Sequence, residues 1–291
     1  MNENKLLLNI DEGYGFMPPC YKALMSYSGI SYHEEFDLPH PIAIFNHSWS
    51  AVCYKLITTI DALEIMQSSF NDRPNGSNSV SLLAAYEALL HTCDEFIENI
   101  EKNITKSFAG KNGKADISGP DSLRKFFSIP CNRIKHNHNR LVYFELNNTR
   151  FKVSCCSLYH IHKGGLRPNP EIHKNNHGFS FNMQLRKVVS SLYFYTDTVE
   201  KKIIKLSNSP IIPEIHPDTN TISMLKRISK LPIISMPHET NRDIPSIDFN
   251  EKKLELSLRG GNAIPINGRA TVIHVGDGYT HRFAVPGYRK E

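Results

Sequence analysis

The amino-acid sequence predicts a mainly α-helical protein with an inserted β-hairpin and a small β-containing appendage after the last long helix. Two stretches, residues 48–70 and 83–104, repeat apolar residues at intervals of three and four, as the buried face of a helix does. Residues 141–161 instead carry strand-forming side chains around an Asn-Asn turn. The 291 residues suffice for a substantial core, and no apolar run reaches the length of a membrane span.

Glycine and proline recur in the first part of the chain. Residues 1–45 are therefore predicted to form an irregular N-terminal segment with one short helix at Tyr21–Ser26. The first long helix is expected over residues 48–70, and it ends at a cluster of helix-breaking residues at 71–76.

The second helix has the clearest pattern in the sequence. Its apolar residues alternate steps of three and four without a slip: Leu83, Tyr86, Leu90, Cys93, Ile97, Ile100 and Ile104. Such a seam packs against another helix. We expect a contact within the chain, and a dimerising coiled coil is the alternative.

A third helix is predicted to begin at Asp121 or Ser122, either of which can cap it. Because Pro130 lacks the N–H group that a helix interior needs, we expect it to interrupt this helix. Proline is well tolerated in a first helical turn, so a new short helical segment is predicted over residues 131–140.

These elements divide the chain into three parts. The predicted helical domain spans residues 46–207, with the hairpin inserted at 141–165 and a last long helix at 182–206. Residues 208–291 contain repeated prolines and are predicted to form an extended, β-containing C-terminal appendage. Short elements are expected within it: a helix at 221–230 and strands at 253–258, 271–275 and 279–285.

Charge is distributed unevenly along the chain. The net charge is −8 over residues 1–121, +8 over residues 122–170 and +5 over residues 171–291. In the central block, nine lysines and arginines accompany a single acid, Glu145. Such a concentration of positive charge attracts phosphates and other polyanions. The alternative is a basic face that neutralises the acidic first part of the chain.

Residues 132–140 are the densest polar run in the sequence, with two arginines, one lysine, two histidines and three asparagines. This set suits cleavage of the phosphodiester bond in RNA, where the substrate supplies its own nucleophile, the 2′-OH. The protein then needs a histidine to move protons near neutral pH and an arginine to hold the phosphate. No metal ion or other cofactor is required.

Helical geometry limits which of these side chains act together. Arg133 and His138 are five residues apart, so a regular helix separates them by about 140°. Arg133, His136 and Asn137 share a face better. A joint site of Arg133 and His138 therefore needs a helix end at the motif, a long reach of the arginine, or a second copy of the chain.

The segment Arg133-Ile134-Lys135-His136-Asn137-His138 resembles the R-x4–6-H motif of the HEPN superfamily. The order of elements is similar as well: two long helices, the motif, and then a further helix, over about residues 48–207. The resemblance implies a HEPN-like helical bundle, commonly a homodimer. Many HEPN proteins are metal-independent endoribonucleases of toxin–antitoxin, CRISPR-linked and antiviral defence systems.

By this resemblance Arg133 and His138 are the catalytic pair. Two protomers would line one cleft and leave a 2′,3′-cyclic phosphate on the RNA. In the family a polar residue often follows the arginine. Here it is Ile134, so we expect help from neighbouring polar side chains: Asn132, Lys135, His136 and Asn137. The residues expected to contact RNA are the basic ones around the motif: Arg124, Lys125, Arg140, Arg150 and Lys152.

Other interpretations stay open. A non-catalytic HEPN-like dimer would bind nucleic acid or a partner protein, such as an antitoxin or a sensor, through the same positive charge. Histidines with the spacing of zinc ligands also occur: His160, His162, His173 and His177. The six cysteines form no C-x-x-C pair, which predicts a reduced, cytoplasmic protein.

Overall fold

The computed structural model shows a mainly helical chain with strands assembled in sheets, as the sequence predicts. It describes the following residues: 5–10, 15–26, 37–68, 76–109, 115–137, 139–147, 152–162, 165–174, 178–206, 218–236, 239, 244–259, 261, 264–265, 268–273 and 280–285. None of the helices in these ranges is both long and apolar enough to span a bilayer.

The helices are α1 (Cys20–Ser26), α2 (Pro41–Ser68), α3 (Gly76–Glu98), α4 (Thr105–Ala109), α5 (Asp121–Asn137), α6 (Pro170–His173), α7 (Phe181–Leu206) and α8 (Thr219–Lys230). A π-helical turn, Asn99–Ile104, joins α3 to α4. The strands are β1 (Lys5–Asn9), β2 (Arg140–Asn147), β3 (Lys152–His162), β4 (Gly165–Pro168), β5 (Phe179–Ser180), β6 (Ile234–Ser235), β7 (Ser246–Asn250), β8 (Lys253–Ser257), β9 (Ile264–Pro265), β10 (Gly268–Ile273) and β11 (Thr280–Val285).

The main core lies between α2, α3 and α7. The seam of α3 packs against α2 of the same chain, which confirms the predicted contact within the chain. At its centre Trp49 packs against Phe45, Phe96 and Tyr193, with ring centroids 5.7 to 6.5 Å from that of the tryptophan. The indole N–H of Trp49 donates to Thr221 Oγ1 at 2.9 Å, which ties α8 to α2.

The predicted hairpin lies in the middle of a larger antiparallel sheet. The strand order is β11-β10-β2-β3-β4, and β5 also pairs with β3. Residues of the C-terminal segment thus complete a sheet begun by the hairpin, because Val272 of β10 pairs with Phe144 of β2. A second sheet has the order β1-β8-β7, in which β1 and β7 were not predicted.

Helix α5 differs from the prediction. It is continuous from Asp121 to Asn137 and contains Pro130, which was expected to interrupt it. Proline removes one backbone hydrogen bond, but Phe127 and Cys131 on the same helix are fully buried. Their packing holds the helix together across the missing bond. As a result, Arg133 lies in a helical turn near the C-terminal end of α5.

Candidate functional site

Arg133 of α5 forms an ion pair with Glu171 of α6. Its Nε donates to Glu171 Oε2 at 2.6 Å, and its Nη2 contacts the same oxygen. The two side chains are 39% and 43% exposed, respectively, so the pair lies at the surface. The guanidinium is therefore held along one edge while solvent still reaches it.

Two buried asparagines connect the backbone of Arg133 to that of Glu171. Asn139 caps the C-terminal end of α5, because its Nδ2 donates to the carbonyls of Arg133 and Asn137 at 3.2 and 3.1 Å. Asn169 Nδ2 donates to Asn139 Oδ1 at 2.8 Å. Asn169 Oδ1 in turn accepts from the N–H of Glu171 at 2.9 Å and caps α6.

Helix α6 is also fastened to strand β3. The N–H of Asn169 donates to the carbonyl of Leu158 at 2.8 Å. The N–H of Leu158 donates to Nε2 of His173, also at 2.8 Å. Because Nε2 accepts this bond, the buried His173 has its Nε2 unprotonated. These bonds hold Glu171 in place although α6 is only four residues long.

The ion pair lies between two adjoining clefts that share Arg133, Asn137 and Glu171; together we call them the Arg133 cleft. The larger has a volume of about 360 Å³, and its further lining residues are Asn139, His160, Asn169 and Pro170. The smaller has a volume of about 260 Å³, and its further lining residues are Ile129, Asn132 and His136. A guanidinium, a carboxylate, two imidazoles and several amides thus line one concave surface.

The structure brings together four of the residues singled out from the sequence: Asn132, Arg133, His136 and Asn137. His138 directly follows α5 but lies outside the described residues. The charge of Lys135 acts instead on two side chains of α3, Asp94 and His91. Burial and the charge of Glu98 raise the pKa of Asp94, and Lys135 opposes this rise. Burial lowers the pKa of His91, and Lys135 lowers it further.

Two of the predicted RNA contacts are engaged by acids. Arg124 Nε donates to Glu101 Oε2 at 2.6 Å, while Glu101 Oε1 accepts from the hydroxyl of Tyr195. Lys125 pairs with Asp121 one turn earlier in the same helix, at 2.7 Å. Part of the positive charge counted in the sequence is thus neutralised by neighbouring carboxylates.

The structure describes the three remaining predicted RNA contacts only in part. Arg140 is exposed at the start of β2. Arg150 lies outside the described residues, and of Lys152 the structure describes only the backbone, in β3.

Sequence reasoning did not assign Asn139, Asn169 or Glu171 to this site, and it considered His160 only as a possible zinc ligand. Asn169-Pro170 does have the composition of a helix start, since asparagine caps helices and proline suits their first turn. Arg167 of β4 pairs directly with His160 of β3. Opposite residues of antiparallel strands project from the same face, so Arg167 adds an exposed positive charge beside His160.

The histidines with zinc-ligand spacing do not come together in the part of the chain that the structure describes. His173 is buried against β3, and His160 lines the cleft. His177 and the side chain of His162 lie outside the described residues. Within the described ranges, no three His, Cys, Asp or Glu side chains are grouped so as to hold a metal ion.

Comparison of the chain with protein-family models, with curated proteins and with solved structures found no match. The assignment to the HEPN superfamily stays a prediction that rests on the motif and on the order of the helices.

Proposed function

We propose that the chain is a metal-independent endoribonuclease of HEPN type that cleaves RNA at the Arg133 cleft. One observation carries this proposal: an arginine that solvent can reach shares a concave surface with two histidines, His136 and His160. A planar guanidinium suits the oxygens of a phosphate, and imidazoles transfer protons near neutral pH. These are the groups that cleavage through the 2′-OH of RNA requires.

Each group has a distinct part in the reaction. Arg133 binds the non-bridging oxygens of the phosphate and stabilises the negative charge that develops on them. The amides of Asn132 and Asn137 orient the sugar–phosphate backbone. A histidine protonates the departing 5′-oxygen. The products are a 2′,3′-cyclic phosphate and a 5′-hydroxyl.

The wider setting follows from the resemblance. His138 is the second catalytic residue of the motif, and two protomers together form the site. The function belongs to a bacterial defence or toxin system, in which an antitoxin or a sensor protein controls the activity. Homodimerisation is measured by light scattering of the purified chain.

The test is cleavage of a 5′-labelled single-stranded RNA by the purified full chain in EDTA. We expect cleavage with a 2′,3′-cyclic phosphate end, identified by mass spectrometry, and no cleavage of an RNA with a single 2′-deoxy group at the cut position. Arg133→Ala should lower kcat by about 10²-fold or more, because it removes the phosphate-holding cation. His138→Ala tests the residue that the resemblance assigns.

The matched control is Arg227→Ala, which removes an ion-paired arginine far from the motif in sequence. Arg227 of α8 bonds Asp61 at 2.6 Å and Glu64 at 2.9 Å, and neither acid lines the cleft. This variant should retain cleavage. A wild-type chain that leaves RNA intact in every buffer would refute the proposal.

A non-catalytic module that binds nucleic acid or a partner protein is the second candidate. The ion pairs of Arg124, Lys125 and Arg133 reduce the positive field of the central block, which favours the partner-protein form of this candidate over RNA cleavage. RNA binding without cleavage would support this candidate instead.

A further inference from the structure

We propose that Glu171 is the general base of the cleavage reaction, the group that accepts the proton of the 2′-OH; this inference rests on the proposed ribonuclease function. The resemblance to HEPN proteins assigns proton transfer to histidine alone. The structure adds a carboxylate at the centre of the same cleft, in contact with the arginine that would hold the phosphate.

The ion pair uses only part of the hydrogen-bonding capacity of each side chain. Both contacts from Arg133, through Nε and Nη2, reach the same oxygen, Oε2 of Glu171. Among the described residues, no side chain or backbone group bonds Oε1 of Glu171 or Nη1 of Arg133. The guanidinium therefore keeps donors for a phosphate oxygen, and the carboxylate keeps one oxygen for a proton.

The hydrogen bonds that hold Glu171 indicate a role beyond that of a surface salt bridge. An exposed ion pair contributes only about 0–1 kcal/mol to stability. Yet the backbone of Glu171 is held by a series of buried and partly buried hydrogen bonds through Asn139, Asn169 and His173. Buried polar groups thus fix the backbone of Glu171 and Arg133 holds its half-exposed carboxylate, which is the arrangement that a preorganised catalytic group needs.

The reaction step balances within one cleft. Oε1 of Glu171 takes the proton from the 2′-OH while O2′ forms a bond to phosphorus. The bond from phosphorus to O5′ breaks, and the leaving oxygen takes a proton from a protonated histidine of the site. Neither an oxidant nor a metal ion takes part. The resulting glutamic acid and neutral histidine exchange protons with water before the next turnover.

The variant Glu171→Gln separates proton transfer from positioning. The glutamine amide oxygen still accepts from Arg133, so the arginine stays oriented, but the amide cannot accept a proton at neutral pH. We expect kcat for the labelled RNA to fall about 10²- to 10³-fold, the range of general base catalysis. The Kd for an uncleavable 2′-deoxy analogue should stay unchanged or decrease, because a negative charge beside the phosphate is lost.

The dependence of kcat on pH gives an independent readout. Among the described residues, the charged and titratable groups that line the cleft with Glu171 are Arg133 and His136 of α5 and His160 of β3. The profile of the wild type should have an acidic limb that is absent in Glu171→Gln. Asn169→Ala, which loosens Glu171 without removing it, should lower kcat less, about tenfold, and keep the acidic limb.

The matched control is Glu251→Gln, since Glu251 is an exposed acid paired with Lys226 at 2.7 Å outside the cleft. It should leave cleavage unchanged. If Glu171→Gln melts at the wild-type temperature and still cleaves within threefold of the wild-type rate, Glu171 is not the base, although the ribonuclease function stands. If the wild type itself does not cleave RNA, the proposed function fails and this inference fails with it.

Discussion

Glu239 is a buried carboxyl group that ties the C-terminal segment to the start of α7. It accepts hydrogen bonds from the N–H of Met236 at 2.6 Å and from Oγ of Ser180 at 3.0 Å. Burial raises its pKa to about 7, although these bonds and the charge of Lys187 act in the opposite direction. The folded chain thus binds a proton at this site more tightly than the unfolded chain does.

This pKa predicts how stability depends on pH. Between about pH 4.5 and pH 7 the folded state holds the proton and the unfolded state releases it, so the free energy of unfolding falls as pH rises. The change from this group is about 3 kcal/mol. In urea titrations at pH 5 to 8, the wild type should lose stability relative to Glu239→Gln as the pH rises. A difference that does not vary with pH would contradict the prediction.

At the scale of single residues, the sequence predicts one side of the cleft and not the other. The polar run at residues 132–140 identifies Arg133, His136 and Asn137, because they are close in sequence and share a helix face. Glu171 is 38 residues from Arg133. Their contact depends on the bonds between α6 and Leu158 of β3, and no local pattern encodes which strand a four-residue helix will join.

At the scale of elements, helices with a buried stripe were predictable. The pattern at 83–104 and that of α7 correspond to observed helices, because a period of 3.6 residues needs only local information. The interruption at Pro130 was wrong because proline weakens a helix locally, whereas Phe127 and Cys131 stabilise α5 through contacts with distant residues. Strand β1 was missed since its partner, β8, lies at the other end of the chain.

The junction between the large sheet and α7 gives a prediction at this scale. Gly178 precedes β5, and a Cβ atom there would meet the carbonyl oxygen of Cys156 and come within 2.6 Å of Cε1 of Phe144. The backbone carbonyl cannot move aside cheaply. Gly178→Ala should therefore lower the free energy of unfolding by about 1–3 kcal/mol in urea titrations. Ser81→Ala, on the exposed side of α3, is the control, and equal stability of the two variants would contradict the prediction.

At the scale of the whole molecule, the composition and the hydrophobic periods predict the mainly helical class, but the sheet order follows from pairings between distant residues. Residues 208–291 were expected to form an appendage. Their strand β10 pairs with β2, with Val272 opposite Phe144.

This pairing makes the C-terminal segment testable as part of the fold. Val272→Pro removes a backbone N–H from an internal strand, which a sheet tolerates poorly. We expect a clear drop in the melting temperature measured by circular dichroism, together with increased aggregation from the exposed edge of β2. Val272→Ala keeps the N–H and should lose far less stability. If both variants melt alike, backbone pairing at this position contributes little.

The pairing of β1 with β8 has a consequence for folding during synthesis of the chain. Lys5 lies opposite Ser257, so β1 leaves the ribosome about 250 residues before its partner strand. At 5 to 20 residues per second, this delay is roughly 10 to 50 s. Until β8 emerges, the apolar side chains of β1 lack their final neighbours and are open to chaperones.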